Sequence, residues 1–533
     1  MNKKRLPKST YPNRYEIELD VDLDNFSYTG AQKVDLNVVE ATNNIVLNSV
    51  GIEVTKAKIQ TTKQDIPLKV NYIEEDEKIV FESQETLSEG VYELYLEFNS
   101  EITNDLKGFY KSSYMSEDGE KKWIATTQFE PTAARSAFPC WDEPEYKAIF
   151  SMTIITDEKY LRVSNEMVVE EEKVENNKLR TKFADSMKMS SYLVAFVIGD
   201  LEATVVGKSK TTDIRIIHRP GFSHQTSYAG TAAIKLLDFF EDYYKIPYPG
   251  TKLDLIAIPD FAMGAMENVG AVTFRENLLL FDKDKATRSE LDRSITVIAH
   301  ELAHMWFGDL VTMKWWDGIW LNEAFASLME VIASYNTYPE FKQWNAMNMS
   351  RTAGFSIDSL ENSRPVEFDV ETPDQAEEMF DVLTYEKGST VLRMFQMFIG
   401  EEAFQNGVEA YLNKFKFENT NSSDLWDALS EASNQPLNKI LPFWIREKGY
   451  PFLQVDCSNN FLTIKQKPFL LKNVETDKNN IKPVPVQIKF LDTGNEEKFL
   501  LDETERVIDL KTLGKGPHVN SGGWGFFHTF YDD

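Results

Sequence analysis

The period of the hydrophobic pattern changes twice along the 533 residues, and these changes constrain the fold more than any other feature. Up to about residue 200, apolar and polar residues alternate, as in residues 15–23 and 92–98, which is typical of half-buried β-strands. From about Gly221 to Gly449, apolar residues recur at helical spacing, and alternation returns after that. The sequence therefore predicts a multidomain α+β protein.

The two changes of period divide the chain into three predicted domains. Residues 1–200 are expected to form an N-terminal β-sandwich or saddle, residues 201–449 a mainly helical domain, and residues 450–533 a C-terminal β-sandwich. The length fits this division because a domain typically has about 100 to 200 residues. Turn signals at Pro12-Asn13 and Asp118-Gly119 are expected to separate strands of the first domain.

Composition and charge exclude several classes of protein. Acidic residues outnumber Lys and Arg by 85 to 57, which gives a formal net charge of −28, so nucleic acid and anionic lipid surfaces would be repelled at long range. No apolar run approaches the roughly 18 to 20 residues that a membrane-spanning helix needs, and residues 1–12 lack the apolar core of a signal peptide. We expect no nucleic-acid partner and no membrane association.

The cysteine content indicates the compartment. Cys140 and Cys457 are the two cysteines of the chain and lie far apart in sequence. Two cysteines are too few for a disulfide framework, and such a low content fits a reducing environment. A cytoplasmic location is therefore expected.

The sharpest local motif is His300-Glu301-Leu302-Ala303-His304, in a chain with six histidines. From Leu291 to Leu302, apolar residues recur at steps of four, three and four, which places the motif inside an amphipathic helix. His300 and His304 are about one turn apart, so both imidazoles can bind one metal ion about 2.1 Å away. Glu301 points to one side and is suited to contact a water molecule at the metal.

A third metal ligand is expected on the next helical pattern, because a catalytic zinc site uses three protein ligands. That pattern has an apolar stripe from Leu321 to Ile332, and Glu323 lies nearly opposite the stripe. An open His2Glu set predicts one catalytic Zn²⁺ per chain. The alternative is that these three residues are partly buried polar side chains whose hydrogen bonds are satisfied by their neighbours.

A second motif, Gly264-Ala265-Met266-Glu267-Asn268, stands before the histidine motif. Together with that motif and Glu323, it resembles the zinc aminopeptidases of the membrane alanyl, puromycin-sensitive and proteasome-associated type. Further matches lie in residues 128–135, 138–144, 315–317 and 385–388. The resemblance covers nearly the whole chain and implies a gluzincin, with a thermolysin-like fold for the helical domain.

For catalysis, the resemblance implies that His300, His304 and Glu323 bind zinc and that Glu301 is the general base for zinc-activated water. Tyr385 would donate its hydroxyl to the oxyanion of the tetrahedral intermediate. Taken by itself, Tyr385 begins a helical pattern and would more often be a packed aromatic residue. The implied reaction is hydrolysis of the N-terminal peptide bond of peptides.

For substrate binding, the resemblance implies that Glu267 holds the free α-ammonium group of a peptide, with Glu130 as its partner and Gln128 as a further candidate. Met266 would line the pocket for the first side chain, and the rest of the 264–268 segment is assigned to the same site. Without the resemblance, Glu130 would be interpreted as a surface carboxylate in a polar turn. The expected partners are peptides with a free amino terminus.

Two other function classes are weighed against this interpretation. Leukotriene-epoxide hydrolases have Gly-Gly-Met-Glu-Asn in the second motif, so Ala265 argues against that class. A non-catalytic peptide-binding module has little support because Glu301, Tyr385 and all three expected ligands are present. Most relatives continue into a large helical domain after the segment that resembles residues 522–532, so we expect an open cleft, or one closed by self-association or a partner.

Overall fold

The chain begins with strands, continues with helices and ends with strands. The computed structural model describes residues 5–60, 64–471 and 481–532. Its strands are β1 Thr10–Asp22, β2 Ser27–Val38, β3 Thr42–Asn48, β4 Glu53–Gln60, β5 Ile66–Ile73, β6 Lys78–Leu87, β7 Gly90–Glu101, β8 Gly108–Met115, β9 Lys121–Gln128, β10 Ile149–Asp157, β11 Leu161–Ser164, β12 Val168–Val174, β13 Lys178–Phe183, β14 Phe196–Gly199, β15 Glu202–Ser209, β16 Thr212–His218, β17 Lys252–Ile258, β18 Ala265–Met266, β19 Ala271–Arg275, β20 Thr312–Met313, β21 Asn419–Thr420, β22 Tyr450–Ser458, β23 Phe461–Phe469, β24 Val484–Phe490, β25 Glu496–Leu501, β26 Glu505–Asp509, β27 Pro517–Val519 and β28 His528–Tyr531. Its helices are α1 Ser227–Tyr244, α2 Arg288–His304, α3 Trp320–Thr337, α4 Gln343–Asp358, α5 Pro373–Glu378, α6 Gly388–Ile399, α7 Glu401–Phe415, α8 Ser422–Ser433, α9 Leu437–Ile440 and α10 Pro442–Ile445, with one π-helical turn over Leu383–Lys387.

The N-terminal region is built on a ten-stranded sheet in the order β12-β13-β10-β1-β2-β7-β4-β5-β6-β3. Strand β1 pairs parallel with β10 and antiparallel with β2. Tyr15, Ile17 and Leu19 of β1 are buried, because alternate residues of a strand face the same side of the sheet. A second sheet has the order β11-β14-β9-β8. The predicted β-rich N-terminal region is confirmed.

One of the two turn predictions in this region is wrong. Pro12 and Asn13 lie inside β1, at a bulge where the register to β2 shifts between Pro12 and Arg14. A bulge tolerates proline because the residue there need not donate a ladder hydrogen bond. The turn at Asp118-Gly119 does join β8 to β9, and Gly119 has a φ of 79°, which glycine adopts without strain.

The helical region also contains a five-stranded sheet, which the sequence did not predict. Its order is β15-β16-β17-β19-β18, and β17 pairs parallel with both β16 and β19. All seven residues of β17 are buried, including Lys252 and Asp254, which form an ion pair at 2.7 Å. The end of the strand, from Leu255 to Ile258, is a continuous apolar run, as is typical of a strand covered on both faces. Helix α1 packs against β15, β16 and α2.

The helices that position the site pack around α3. Helix α3 contacts α2, α4 and α6. The stripe predicted for α3 is buried, as is that of α2 except for Leu291. A Cβ atom on Gly388, the first residue of α6, would lie 2.6 Å from the Cβ of Ala324 on α3. Only glycine permits this close approach of the two helices. The predicted helical region is confirmed.

Two small sheets follow Gly449. One has the order β26-β23-β22-β28, and the other has the order β25-β24-β27. The alternation predicted after Gly449 is found in β23 and β24. No helix in the described ranges is long and apolar enough to span a bilayer.

Candidate active site

Helix α2 carries the histidine motif in its last two turns. Thr287 caps the start of the helix, and its side chain and that of Glu290 form a reciprocal capping box, which satisfies two free backbone N–H groups. His304 is the last residue of the helix. The imidazole rings of His300 and His304 have centroids 4.7 Å apart, so both rings face the same space.

Glu323, in the first turn of α3, completes a group of three potential metal ligands. Its Oε2 atom lies 3.2 Å from Nε2 of His300 and 3.4 Å from Nε2 of His304. Three ligands about 2.1 Å from a tetrahedral ion would be about 3.4 Å apart. The three residues present therefore fit Zn²⁺ in both donor type and spacing.

The other ring nitrogens of the two histidines have partners of their own. Nδ1 of His300 lies 2.8 Å from Oε2 of Glu330, and Nδ1 of His304 lies 3.0 Å from the carbonyl oxygen of Phe307. Such contacts fix the orientation of an imidazole and leave Nε2 free to bind a metal. Glu330 was not predicted from the sequence, although it follows Glu323 by two helical turns and so shares its face.

The charges of these side chains are strongly coupled. Burial by itself would raise the pKa of Glu323, but His304 and His300 lower it to about 2. Burial would lower the pKa of His304, but Glu267 and Glu323 raise it to about 10. The carboxylate and the imidazoles thus stabilise each other's charged forms.

Glu301 lies next to the three potential ligands and lines the same cavity. It is buried, and burial raises its pKa to about 8, with His300 and His304 opposing the shift and Glu267 adding to it. A carboxyl group in this state can exchange a proton near neutral pH, as a general base requires.

Glu130 and Glu267 come from different regions and meet beside the potential ligands. Glu130 follows β9 of the N-terminal region, and Glu267 follows β18 of the five-stranded sheet. Carboxylate oxygens of Glu130, Glu267 and Glu323 lie within 4.8 Å of one another. The interpretation of Glu130 as a surface carboxylate is wrong, because the N-terminal region packs this residue against the helical region.

Two of these carboxylate oxygens, Oε1 of Glu130 and Oε1 of Glu267, are buried and have no hydrogen-bond partner among the described residues. Burial, and then the charges of Glu267 and Glu323, raises the pKa of Glu130 well above its ordinary value. Burial also raises the pKa of Glu267, although His304 opposes the shift. Oε1 of Glu267 lies 3.8 Å from Nδ1 of His304, too far for a hydrogen bond. Buried carboxylate oxygens without a hydrogen bond are costly, so this arrangement favours a cationic ligand.

The remaining residues of the predicted substrate site divide into two groups. Gln128, Gly264, Ala265 and Met266 line the cavity, and Nε2 of Gln128 donates to the sulfur of Met266 at 3.4 Å. Asn268 is buried outside the cavity lining, and its Nδ2 donates to the hydroxyl of Thr273 at 3.3 Å. Asn268 therefore holds the segment in place, and a direct contact with substrate stays a prediction.

Tyr385 enters the cavity from the π-helical turn. Its ring stacks on that of His300, with centroids 6.1 Å apart. Burial, and then the carboxylates of Glu323, Glu130 and Glu267, raises the pKa of Tyr385 well above its ordinary value. Its hydroxyl is therefore a hydrogen-bond donor at neutral pH.

The cavity that joins these groups has a volume of about 830 Å³. The acidic residues that line it are Asp105, Glu130, Glu267, Asp292, Glu301, Glu323, Glu330, Glu377 and Glu386. Lys107 and Arg293 are the lysine and arginine in the lining. This excess of negative charge attracts cations and the ammonium groups of substrates.

Comparison with protein families gives two matches, one after the other along the chain. A family model described as Peptidase M1 N-terminal domain matches residues 11–193, and one described as Peptidase family M1 domain matches residues 228–444. The second match contains the histidine motif, Glu323 and Tyr385.

Similar proteins include Aminopeptidase M1 of Arabidopsis thaliana, which is 39% identical over 99% of this chain and 62% of its own length. Aminopeptidase 2 of Candida albicans is 38% identical and Puromycin-sensitive aminopeptidase of Caenorhabditis elegans is 37% identical, each over 99% of this chain and 57% of its own length. The chain thus spans about three-fifths of the length of these relatives. The matches confirm the resemblance, and the chain belongs to the M1 family of peptidases.

Proposed function

We propose that the chain is a zinc-dependent aminopeptidase that hydrolyses the N-terminal bond of peptides. The observation that carries this proposal is the pair of buried carboxylate oxygens of Glu130 and Glu267, which have no hydrogen-bond partner among the described residues and lie beside the three potential metal ligands. An α-ammonium group is the cation that would pair with both. A peptide held in this way brings its first peptide bond to the ligand group.

His300, His304 and Glu323 would hold the zinc ion, and Glu330 would orient His300. Zinc bound there would act as a Lewis acid that makes water a nucleophile near neutral pH. The distances between the ligand atoms support this choice of metal, as does the His2Glu donor set.

Glu301 would carry out the proton transfers. Its carboxylate would accept a proton from the attacking water and then deliver this proton to the leaving amine. The raised pKa of Glu301, caused by burial, supports this role. The imidazoles of His300 and His304 already contact Glu323, Glu330 and the carbonyl oxygen of Phe307. Glu301 is therefore better placed to act as the base.

Tyr385 would stabilise negative charge on the carbonyl oxygen. Its raised pKa keeps the hydroxyl protonated, so it can donate a hydrogen bond as the charge develops. Burial of the surrounding side chains excludes bulk water and strengthens this interaction.

Several further assignments rest on the same proposal. We assign residues 1–200, 201–449 and 450–533 to three domains, and the change of sheet between β14 and β15 supports the first boundary. The two sheets after Gly449 would form a β-sandwich.

The unpaired Cys140 and Cys457 support a cytoplasmic location. Self-association, or a partner that closes the cleft, also stays a proposal.

A panel of aminoacyl fluorogenic substrates tests the proposed function. We expect hydrolysis that is abolished by a chelator and restored by one equivalent of zinc. Amino-acetylated versions of the same substrates serve as matched controls and should resist cleavage. Equal cleavage of the free and acetylated substrates would contradict the proposal.

A further inference from the structure

The π-helical turn that carries Tyr385 is anchored by a buried ion pair. Lys387, at the end of the turn, has no exposed side-chain surface, and its Nζ atom lies 2.8 Å from Oδ2 of Asp358, which is also fully buried. The same ammonium group donates to the carbonyl oxygen of Glu447 at 3.3 Å. Nothing in the proposed reaction uses these groups.

Asp358 joins this turn to two other parts of the chain. It is the last residue of α4, and its Oδ1 atom accepts hydrogen bonds from the hydroxyl of Ser363 and the backbone N–H of Gly449, both at 2.8 Å. Gly449 directly precedes β22, the first strand of the C-terminal sheets. One carboxylate therefore connects the turn, the end of α4 and the C-terminal sheets.

The turn is also packed tightly on both sides. A Cβ atom on Gly354 of α4 would lie 3.4 Å from the backbone nitrogen of Lys387, and one on Gly388 would lie 2.6 Å from the Cβ of Ala324. Ala324 follows Glu323. A shift of the turn would therefore move the Tyr385 hydroxyl relative to the potential metal ligands.

A buried ion pair is weak evidence for stability, because apolar residues of similar volume often serve as well. Its contribution lies in geometry, since the Asp358 carboxylate holds the Lys387 ammonium group close to the end of α4 and to Gly449. We propose that Lys387 and Asp358 are positioning residues, which hold the turn so that the Tyr385 hydroxyl reaches the carbonyl oxygen of the substrate. This inference rests on the proposed function and on the role of Tyr385 in it.

The test is a double-mutant cycle between the ion pair and the tyrosine hydroxyl. Removing one partner alone would leave an unpaired buried charge, so Lys387→Met is combined with Asp358→Asn, which keeps the shape of the carboxylate and an acceptor for Ser363 and Gly449. The paired variant is compared with wild type, with Tyr385→Phe, and with the combination of all three changes. Zinc content, KM and kcat are measured for each.

We expect Tyr385→Phe to lower kcat by about 10² to 10³, as loss of an oxyanion donor does. The paired variant should lower kcat by about 10- to 10²-fold, since a misplacement of about 1 Å can cost 10²-fold. Zinc content and KM should change little. In the Tyr385→Phe background, the paired change should cause no further loss, because the hydroxyl that it positions is already gone.

A purely structural role would give the same loss of kcat in both backgrounds, and that result would overturn the inference. An unchanged kcat in the paired variant would also overturn it. If Tyr385→Phe itself keeps the wild-type rate, the role of Tyr385 in the proposed function is wrong. The positioning role of Lys387 and Asp358 is then wrong as well. If the paired variant does not fold, Lys387→Gln combined with Asp358→Asn replaces it in the same cycle, because this pair carries no charge and keeps a donor for the carbonyl oxygen of Glu447.

Lys482 offers a matched control at the same junction. It is a buried lysine that donates to the carbonyl of Phe443, and its Nζ lies 3.4 Å from a carboxylate oxygen of Glu447. It has no hydrogen bond or ion pair to the described residues of the π-helical turn, but its charge interacts with those of Lys387 and Asp358. Lys482→Arg keeps this charge and changes the packing at the junction, so it should lower the melting temperature but leave kcat unchanged. A loss of kcat in Lys482→Arg that also disappears in the Tyr385→Phe background would overturn the specific role of Lys387 and Asp358.

Discussion

Glu330 lies 2.8 Å from Nδ1 of His300, on the side of the imidazole ring opposite the Nε2 atom that faces Glu323. Both glutamates belong to α3, so one helix supplies a potential metal ligand and the group that orients another ligand. The ring is therefore fixed from both sides by elements of a single rigid helix.

This relationship predicts that Glu330→Ala weakens zinc binding by about 10- to 100-fold, the usual cost of losing a partner of a metal-bound histidine. Glu330→Gln keeps an acceptor oxygen for Nδ1 and should weaken binding less. Competition with a chelating dye measures both affinities. Wild-type affinity in Glu330→Ala would show that the contact does not orient the ligand.

Glu301→Gln should retain the fold and the zinc but lose nearly all turnover. An amide cannot accept the proton of the attacking water, and general-base catalysis contributes about 10²- to 10⁴-fold. Metal analysis and single-turnover rates on the same preparation separate the two properties. A variant with more than about a tenth of the wild-type rate would exclude Glu301 as the base.

Because Lys147 is buried, we expect the free energy of unfolding to depend on pH in a specific way. Burial lowers its pKa to about 7, with Asp309 opposing the shift, and its Nζ donates to the carbonyl oxygens of Asp309 and Leu310 at 3.0 and 3.2 Å. A neutral amine has two N–H groups, which match these two acceptors. In the unfolded chain, the pKa would be about 10.4.

Between about pH 7 and pH 10, the unfolded state therefore binds more protons than the folded state at this residue. Stability must rise with pH across this window, by up to about 1.4 kcal/mol per pH unit. Lys147→Met removes this contribution, so the free energy of unfolding of wild type should rise relative to that of the variant from pH 7 to 9. Parallel pH profiles in denaturant titrations would contradict the lowered pKa.

Lys107 and Glu377 form an ion pair between the β7–β8 connection and α5, and both line the cavity. Each side chain is 46% exposed, and an exposed pair contributes at most about 1 kcal/mol to stability. Replacing both with alanine should leave the melting temperature nearly unchanged. We expect kcat/KM to rise for long peptides and to stay constant for dipeptide-like substrates. A loss for both classes would show that the pair supports the site itself.

The proximity of the three potential ligands could be predicted from the sequence because it depends mainly on helical periodicity. His300 and His304 are related by one helical turn, and the stripes of α2 and α3 show which faces of the two helices are free. The same periodicity places Glu330 on the face of Glu323. Its contact with His300 could not be predicted, since a glutamate on the exposed face of a helix is common.

Features that depend on long-range packing could not be predicted. The five-stranded sheet was missed because β17 is buried on both faces and ends in the apolar run Leu255–Ile258, and a short apolar run does not distinguish a strand from a buried helix. The burial of Glu130 depends on how the N-terminal region meets the helices. Lys387 and Asp358 are buried partners only because α4 packs beside the π-helical turn, and no pattern in either segment reveals this contact.

In the proposed function, Glu130 and Glu267 bind the free amino terminus of a peptide beside a zinc site. Mass spectrometry of one peptide and its amino-acetylated counterpart, each incubated with the zinc-loaded protein, tests this proposal directly. We expect the free peptide to lose residues one at a time from its amino terminus, while the acetylated peptide stays intact because it lacks the ammonium group. Internal cleavage of the acetylated peptide would contradict the proposal and indicate an endopeptidase.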